Sequence, residues 1–234
     1  MIHVERGGSG PLLVLLHGLG ATGEVWRGVV DRWPGSWLVP DLPGHGRSGP
    51  LERYSFGSFA AAVASVVPAG PVAVLGHSLG GVVALTLASG WFGVDVSAVA
   101  GLGIKLRWTP EELERATGLA ARPSKIFETR AEAVERASKL AGVPLEHGVV
   151  PDGPGWRPVL DMAAFGVGAP DVEGLLAASK APVVLAAGEH DHMCPEADLR
   201  AASPGGMVLA GVGHNAHVER PESIDPVLAE LGGS

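Results

Sequence analysis

The chain has 234 residues, 46% of them hydrophobic and 18% charged, which is enough apolar side chain for one substantial domain and too much for a disordered one. Its formal charge of −8 is offset by no basic run, which argues against general affinity for nucleic acid or an anionic membrane. The single cysteine, Cys194, excludes an internal disulfide framework and fits a reducing compartment.

In chain order, MIHVER offers a short first strand and no basic segment leading into an apolar stretch, so no secretory signal is expected. No apolar run reaches the ~18 residues of a membrane span, and the expected location is cytoplasmic. Strand-like runs follow at 11–18 (PLLVLLHG), 36–41 (SWLVPD), 71–78 (PVAVLGHS), 96–103 (VSAVAGLG), 182–191 (PVVLAAGEHD) and 207–214 (MVLAGVGH). They are continuously apolar, as parallel strands covered on both faces are. Helical patterns lie between or after them at 55–67, 79–90 and 221–231. The alternation predicts an α/β fold with a mostly parallel central sheet flanked by helices.

Residues 104–175 break the rhythm. TPEELERATGLAAR and SKIFETRAEAVERASKLAG carry most of the helix-type charge, VPDGPGWRP reads as a loop, and VLDMAAFG reads as a short helix. No strand is expected here. The division is therefore a core domain, 1–103 with 176–234, and a small helical cap, 104–175, over the carboxyl end of the sheet; two further layers of surface helix are the plainer alternative.

The chemistry centres on VLGHSLGG, residues 74–81. Ser78 ends a strand, opens a helical run, and has Gly76 and Gly80 two residues to either side, the G-x-S-x-G arrangement of a nucleophile elbow. Strand and helix approach closely there only if the flanking positions lack bulk. A serine hydroxyl needs a base to take its proton, and that base needs a carboxylate to orient it. Asp191 and His214 stand at the carboxyl ends of two later strands, and the order serine, aspartate, histidine suits this architecture. His214 is preferred over His217 as base because it directly follows GVG.

With these residues in view the chain resembles the α/β-hydrolase superfamily, in its capped lipase- and esterase-like form, over 11–103 and 180–225. HGLGATGEVW (17–26) is similar to the family's oxyanion loop, DLPGHGRS (41–48) to the segment after the next strand, GHSLGG to its elbow, GEHDHMCP (188–195) to its acid loop and GVGHNAHVERPE (211–222) to its histidine loop. The resemblance implies an oxyanion hole made by the backbone N–H groups of Leu19 and Leu79. Relatives that use an aspartate nucleophile, such as dehalogenases and many epoxide hydrolases, are disfavoured by serine at position 78. His190 and His192, flanking the acid, depart from the pattern.

A competing set of residue types, His190, His192, Cys194, His214 and His217, would suit zinc, but it leaves the elbow and the HGLG loop without a purpose; no metal and no cofactor are expected. Trp26, Trp108, Trp156, Met162, Phe165 and Met193 are candidates for an apolar acyl pocket, and each also fits a plain core position. His17 and His77 read as structural hydrogen-bonders, and Lys105, Arg107 and Arg122 as solvated charges or as contacts for a substrate carboxylate. The expected activity is hydrolysis of a small, mainly apolar carboxylic ester through an acyl-enzyme on Ser78. The same groups would serve a carbon–carbon bond hydrolase, a lactonase or a cofactor-free lyase, and the fold also serves non-catalytic ligand-binding proteins.

Overall fold

The computed structural model describes residues 1–232. The strands are β1 (Val4–Gly7), β2 (Leu12–Leu16), β3 (Ser36–Pro40), β4 (Pro71–His77), β5 (Asp95–Leu102), β6 (Val149–Asp152), β7 (Gly155–Pro158), β8 (Val183–Gly188) and β9 (Met207–Leu209). The helices are α1 (Arg27–Val30), α2 (Phe56–Ala64), α3 (Leu79–Ala88), α4 (Pro110–Ala120), α5 (Arg130–Ala141), α6 (Val172–Ala178), α7 (Glu196–Ala202), α8 (Ala216–Glu219) and α9 (Asp225–Gly232). None of the described helices is long and apolar enough to cross a membrane.

Seven strands form one sheet in the order β1-β3-β2-β4-β5-β8-β9. Neighbours are parallel except β1, which runs antiparallel to β3 at the edge, with Val4 opposite Pro40. The continuous apolar runs are explained by two cores. Along β2, Leu13 and Leu15 face one core with Trp26, Val29 and the α9 residues Val227 and Leu228. Val14 and Leu16 face the other, with Phe59 and Val63 of α2 and Val83 and Leu87 of α3. A strand with both faces covered has no polar side to alternate with.

Residues between β5 and β8 add no strand to this sheet. The sequence reading is corrected here in one respect: VPDGPGWRP is a β-hairpin, with β6 and β7 antiparallel and Asp152 opposite Gly155. Its turn residues, which suggested a loop, are the hairpin's own connection. Gly153 supplies a φ of +56° at the first central position, where a two-residue hairpin turn needs it. Two strands are also shorter than expected: β8 ends at Gly188 and β9 at Leu209, so Asp191 and His214 lie on loops beyond the sheet. Helices α4 and α5 each begin with a capping box, Thr109 with Glu112 and Thr129 with Glu132.

The tightest packing is where β4 passes into α3 over β2. A Cβ added at Gly76 would lie 2.0 Å from the Gly80 carbonyl oxygen, and one at Gly80 would lie 2.3 Å from that of Leu16. These contacts are backbone on backbone and cannot be relieved by a side-chain rotation. Gly76→Ala is therefore expected to cost about 3 kcal/mol of stability or to prevent folding. Gly118→Ala, in α4 with nothing within 4 Å of its added Cβ, is expected to add about 0.5–1 kcal/mol. Urea denaturation of the two variants beside the parent checks both signs.

Candidate active site

Ser78 has φ +50° and ψ −116°, and it is the single non-glycine residue with positive φ among those described. Such a backbone costs on the order of 1–3 kcal/mol and persists only where its surroundings hold it. Here the Ser78 N–H donates to the Leu102 carbonyl at 2.8 Å, and the Ser78 carbonyl accepts from Gly81 and Val82 in the first turn of α3. The glycines on either side leave strand and helix in contact, and the half-buried serine stands at their junction.

The His214 ring places Nδ1 2.9 Å from Asp191 Oδ2 and 3.0 Å from Oδ1. Facing a carboxylate, Nδ1 carries the proton, which leaves Nε2 as the acceptor. Asp191 is 3% exposed, and its Oδ1 also accepts from the Met193 and Cys194 N–H groups at 2.8 and 3.1 Å. Burial alone would raise this carboxyl. The His214 hydrogen bond and charge, joined by the two N–H donors, outweigh burial and hold it below the ordinary aspartate value.

Two further residues shape this pair. Gly103, just past β5 at φ +61°, leaves the space beside it: a Cβ there would lie 3.1 Å from Asp191 Oδ2 and 3.2 Å from His214 Nδ1. Glu219 clamps the histidine loop, accepting from Gly213 N at 2.6 Å and Asn215 N at 3.1 Å. Gly103 was not singled out from sequence; its signal is the GLG that ends the β5 run.

The loop after β2 is braced from the DLPGHGRS segment. Neutral His17 donates Nδ1–H to the Gly18 carbonyl at 2.8 Å and accepts the Leu42 N–H on Nε2, also at 2.8 Å. Buried Asp41 accepts from Gly23 N and Arg47 N, each at 2.8 Å. Among the described residues, neither Leu19 N–H nor Leu79 N–H donates to a protein acceptor, and both residues border the same cavity as Ser78.

That cavity encloses about 290 Å³, and its wall includes Ser78, His214, Leu19, Val82, Val143 and Phe165. Of the six pocket candidates, Trp108, Phe165 and Met193 line it, and the other three do not. Trp26 is fully buried beneath the cavity, its ring 4.5 Å from that of His217. Trp156 lies on β7, paired with Phe127 and under the Arg130 guanidinium. Met162 fills the core beside Leu160 and Ala164 and faces a separate groove. Sequence reasoning missed the end of α5 and the residues just after it, where Leu140, Ala141 and Val143 reach the cavity; an amphipathic helix pattern does not reveal which loop its end will cover.

The remaining polar candidates are spread out. His190 and His192 are exposed while Cys194 and His217 are buried, and among the described residues no three His, Cys, Asp or Glu side chains are grouped to hold a metal ion. Lys105 borders the cavity of Ser78 and His214 while pairing with Glu112 at 2.8 Å; Arg107 pairs with Asp198 at 2.7 Å, and Arg122 borders the separate groove.

A family model for the alpha/beta hydrolase family matches residues 13–225. A magnesium-chelatase 30 kDa subunit from Rhodobacter capsulatus is 43% identical over 87 residues, 34% of this chain and 31% of that protein. A pimeloyl-[acyl-carrier protein] methyl ester esterase from Aeromonas hydrophila is 47% identical over 92 residues, 37% of this chain and 35% of the esterase. The matched stretch thus spans about a third of each of these relatives. Among solved structures, E-2-(acetamidomethylene)succinate hydrolase superposes with a TM-score of 0.82 at 23% identity, over 100% of this chain and 95% of that one, a likeness of fold. Matched over most of its length, and with esterases among its relatives, the chain belongs to the alpha/beta hydrolase family.

Proposed function

We propose that this chain is a serine hydrolase that cleaves a small, mainly apolar carboxylic ester through an acyl-enzyme on Ser78. The observation that carries this reading is a cavity of about 290 Å³ with Ser78 and His214 in its wall, the latter hydrogen-bonded to Asp191 at 2.9 Å. An esterase among the sequence relatives supports the reaction class.

In this mechanism Ser78 Oγ attacks the ester carbonyl while His214 Nε2 takes its proton. Asp191 keeps the imidazole in the Nδ1–H tautomer and stabilises the imidazolium. The oxyanion sits against the Leu19 and Leu79 N–H groups, each worth roughly 3 kcal/mol by the cost of removing such a donor. His214 then gives its proton to the leaving alkoxide and the C–O bond breaks. Next it takes a proton from water, which attacks the acyl carbonyl, and returns that proton to Ser78 Oγ as the acid departs. Residues 104–175 act as a cap, whose Trp108, Val143 and Phe165 meet the acyl chain.

Cys194 is the other side chain of nucleophile type. It is 1% exposed, and burial, reinforced by the Asp191 and Asp198 carboxylates, pushes its thiol up to about 12. A thiol so held is a structural apolar group. In the folded protein at pH 8, iodoacetamide is expected to leave Cys194 unmodified with activity intact, and urea is expected to expose it; intact-mass spectrometry reads both.

Ser78→Ala is expected to fold normally and lose at least about a thousandfold in turnover of p-nitrophenyl esters. His214→Ala should fall as far, while His217→Ala costs tenfold or less, because His217 touches neither the carboxylate nor the nucleophile's proton. Circular dichroism establishes that each variant is folded. Ser78→Ala activity within tenfold of the parent would overturn the assignment.

Widening the cavity changes chain-length preference only where a side chain borders it. Phe165→Ala is expected to shift the optimum of a graded p-nitrophenyl ester series toward longer acyl groups. Trp156→Ala, away from the cavity, should leave the profile where it was.

A further inference from the structure

We infer that His77, the residue before the nucleophile, is a positioning residue that ties the histidine loop to the elbow through its hydrogen bond to the His214 backbone carbonyl. The inference rests on the proposed roles of Ser78 and His214 and adds a third side chain to them. Nε2 of His77 lies 2.9 Å from that carbonyl oxygen across 137 positions of sequence. A carbonyl only accepts, so Nε2 carries the hydrogen.

The ring has little freedom to do otherwise. His77 is 4% exposed, with the His217 ring 4.4 Å from its centroid on one side and the His214 ring 4.6 Å away. Burial first, and then the neighbouring His217 and His214, hold it well below the ordinary histidine value, so it stays neutral with a single N–H. That hydrogen is on Nε2, which leaves a lone pair on Nδ1. Nδ1 faces Gly18, where an added Cβ would lie only 2.9 Å from it. The oxyanion loop is therefore closed over the ring and opposes its rotation.

The tether matters because of what it joins. His214 follows Gly211 and Gly213, a segment with φ +66° at Gly211 whose buried side chain is Val212. Glu219 clamps Gly213 and Asn215 from the far side, whereas His77 reaches from the strand that carries Ser78. The base and the nucleophile thus share a fixed frame. Misplacement of a reacting group by about 1 Å can cost around a hundredfold, and among the side-chain bonds of this loop that of His77 is the one that comes from the strand leading into Ser78.

Glutamine and methionine match in length, and glutamine alone brings an N–H donor to the place of Nε2. His77→Met in the full chain is expected to lower kcat for p-nitrophenyl butyrate about tenfold or more with KM within twofold, and to speed amide hydrogen exchange across 211–216. His77→Gln should lose less than about threefold in kcat and keep the parent's exchange in that loop. Similar Tm values for the two variants separate positioning from general stability, and His77→Leu replaces His77→Met should the latter not fold. Equal losses in Gln and Met, or parent-like exchange in the folded apolar variant, would overturn the inference. Hydrogen exchange needs no substrate: if the parent hydrolysed no ester, the Ser78 reading would fail while the loop measurement still decided the tether.

Discussion

The contact of β4 and α3 with β2 is the constraint on which the rest of the site depends. With Gly76 against the Gly80 carbonyl and Gly80 against Leu16, the chain reverses from strand to helix in a single residue, and Ser78 takes the positive-φ backbone that the reversal demands. No hydrogen bond makes that conformation favourable in isolation. It is imposed by the sheet, whose β2, β4 and β5 register fixes the strand and leaves the helix nowhere else to begin. The strain is offset by the burial of α3, all ten of whose residues are buried. The site is thus a consequence of core packing, and its geometry is as rigid as that core.

Burial also sorts the histidines. His45 and His217 are each brought down to about 3, first by burial and then by neighbouring imidazoles, and His17 and His77 are lowered as well. These rings remain neutral, and where they are partnered they act as fixed donors and acceptors that join loops: His17 to Leu42, His77 to the His214 carbonyl. His214 differs from these four in having a buried carboxylate, that of Asp191, on its ring nitrogen. In the proposed mechanism an imidazolium formed there meets that carboxylate, which favours a base that must charge and discharge in each turnover.

The backbone geometry around Ser78, Asp191 and His214 was legible in the sequence because each part carries a local signature. The G-x-S-x-G spacing reports a steric requirement at Gly76 and Gly80, and Asp191 and His214 follow apolar runs that only buried strands tolerate. The cavity wall was less legible. Trp26 and Phe165 are both large aromatics in short helical turns, yet Trp26 is fully buried and Phe165 faces the cavity. That difference is set by long-range packing. The β6–β7 hairpin was hidden for a related reason: its glycines and prolines are turn residues, and strands of four residues are too short for alternation to outweigh them.

Among the contacts of residues 104–175 with the core, which include buried Leu160, Met162, Ala133 and Ala137, two small ones bear on the cavity. The backbone at Leu140 approaches Gly20 of the oxyanion loop so closely that a Cβ on that glycine would lie 3.1 Å away, and Asn215, next to His214, donates to the Gly142 carbonyl at 3.3 Å. The end of α5 therefore rests on both the oxyanion loop and the histidine loop. Gly142, in the left-handed conformation that closes this helix, sets the direction in which the chain leaves toward Val143 and the cavity. The turn and loops at the carboxyl end of the sheet thus carry Ser78, Asp191 and His214, and the end of one helix seated across two of those loops supplies part of the apolar wall. Substitutions at the end of α5 can then alter what fits without moving Ser78, because the elbow is held from beneath by β2 and that end of the helix meets Gly20 and Asn215 on the loops above it.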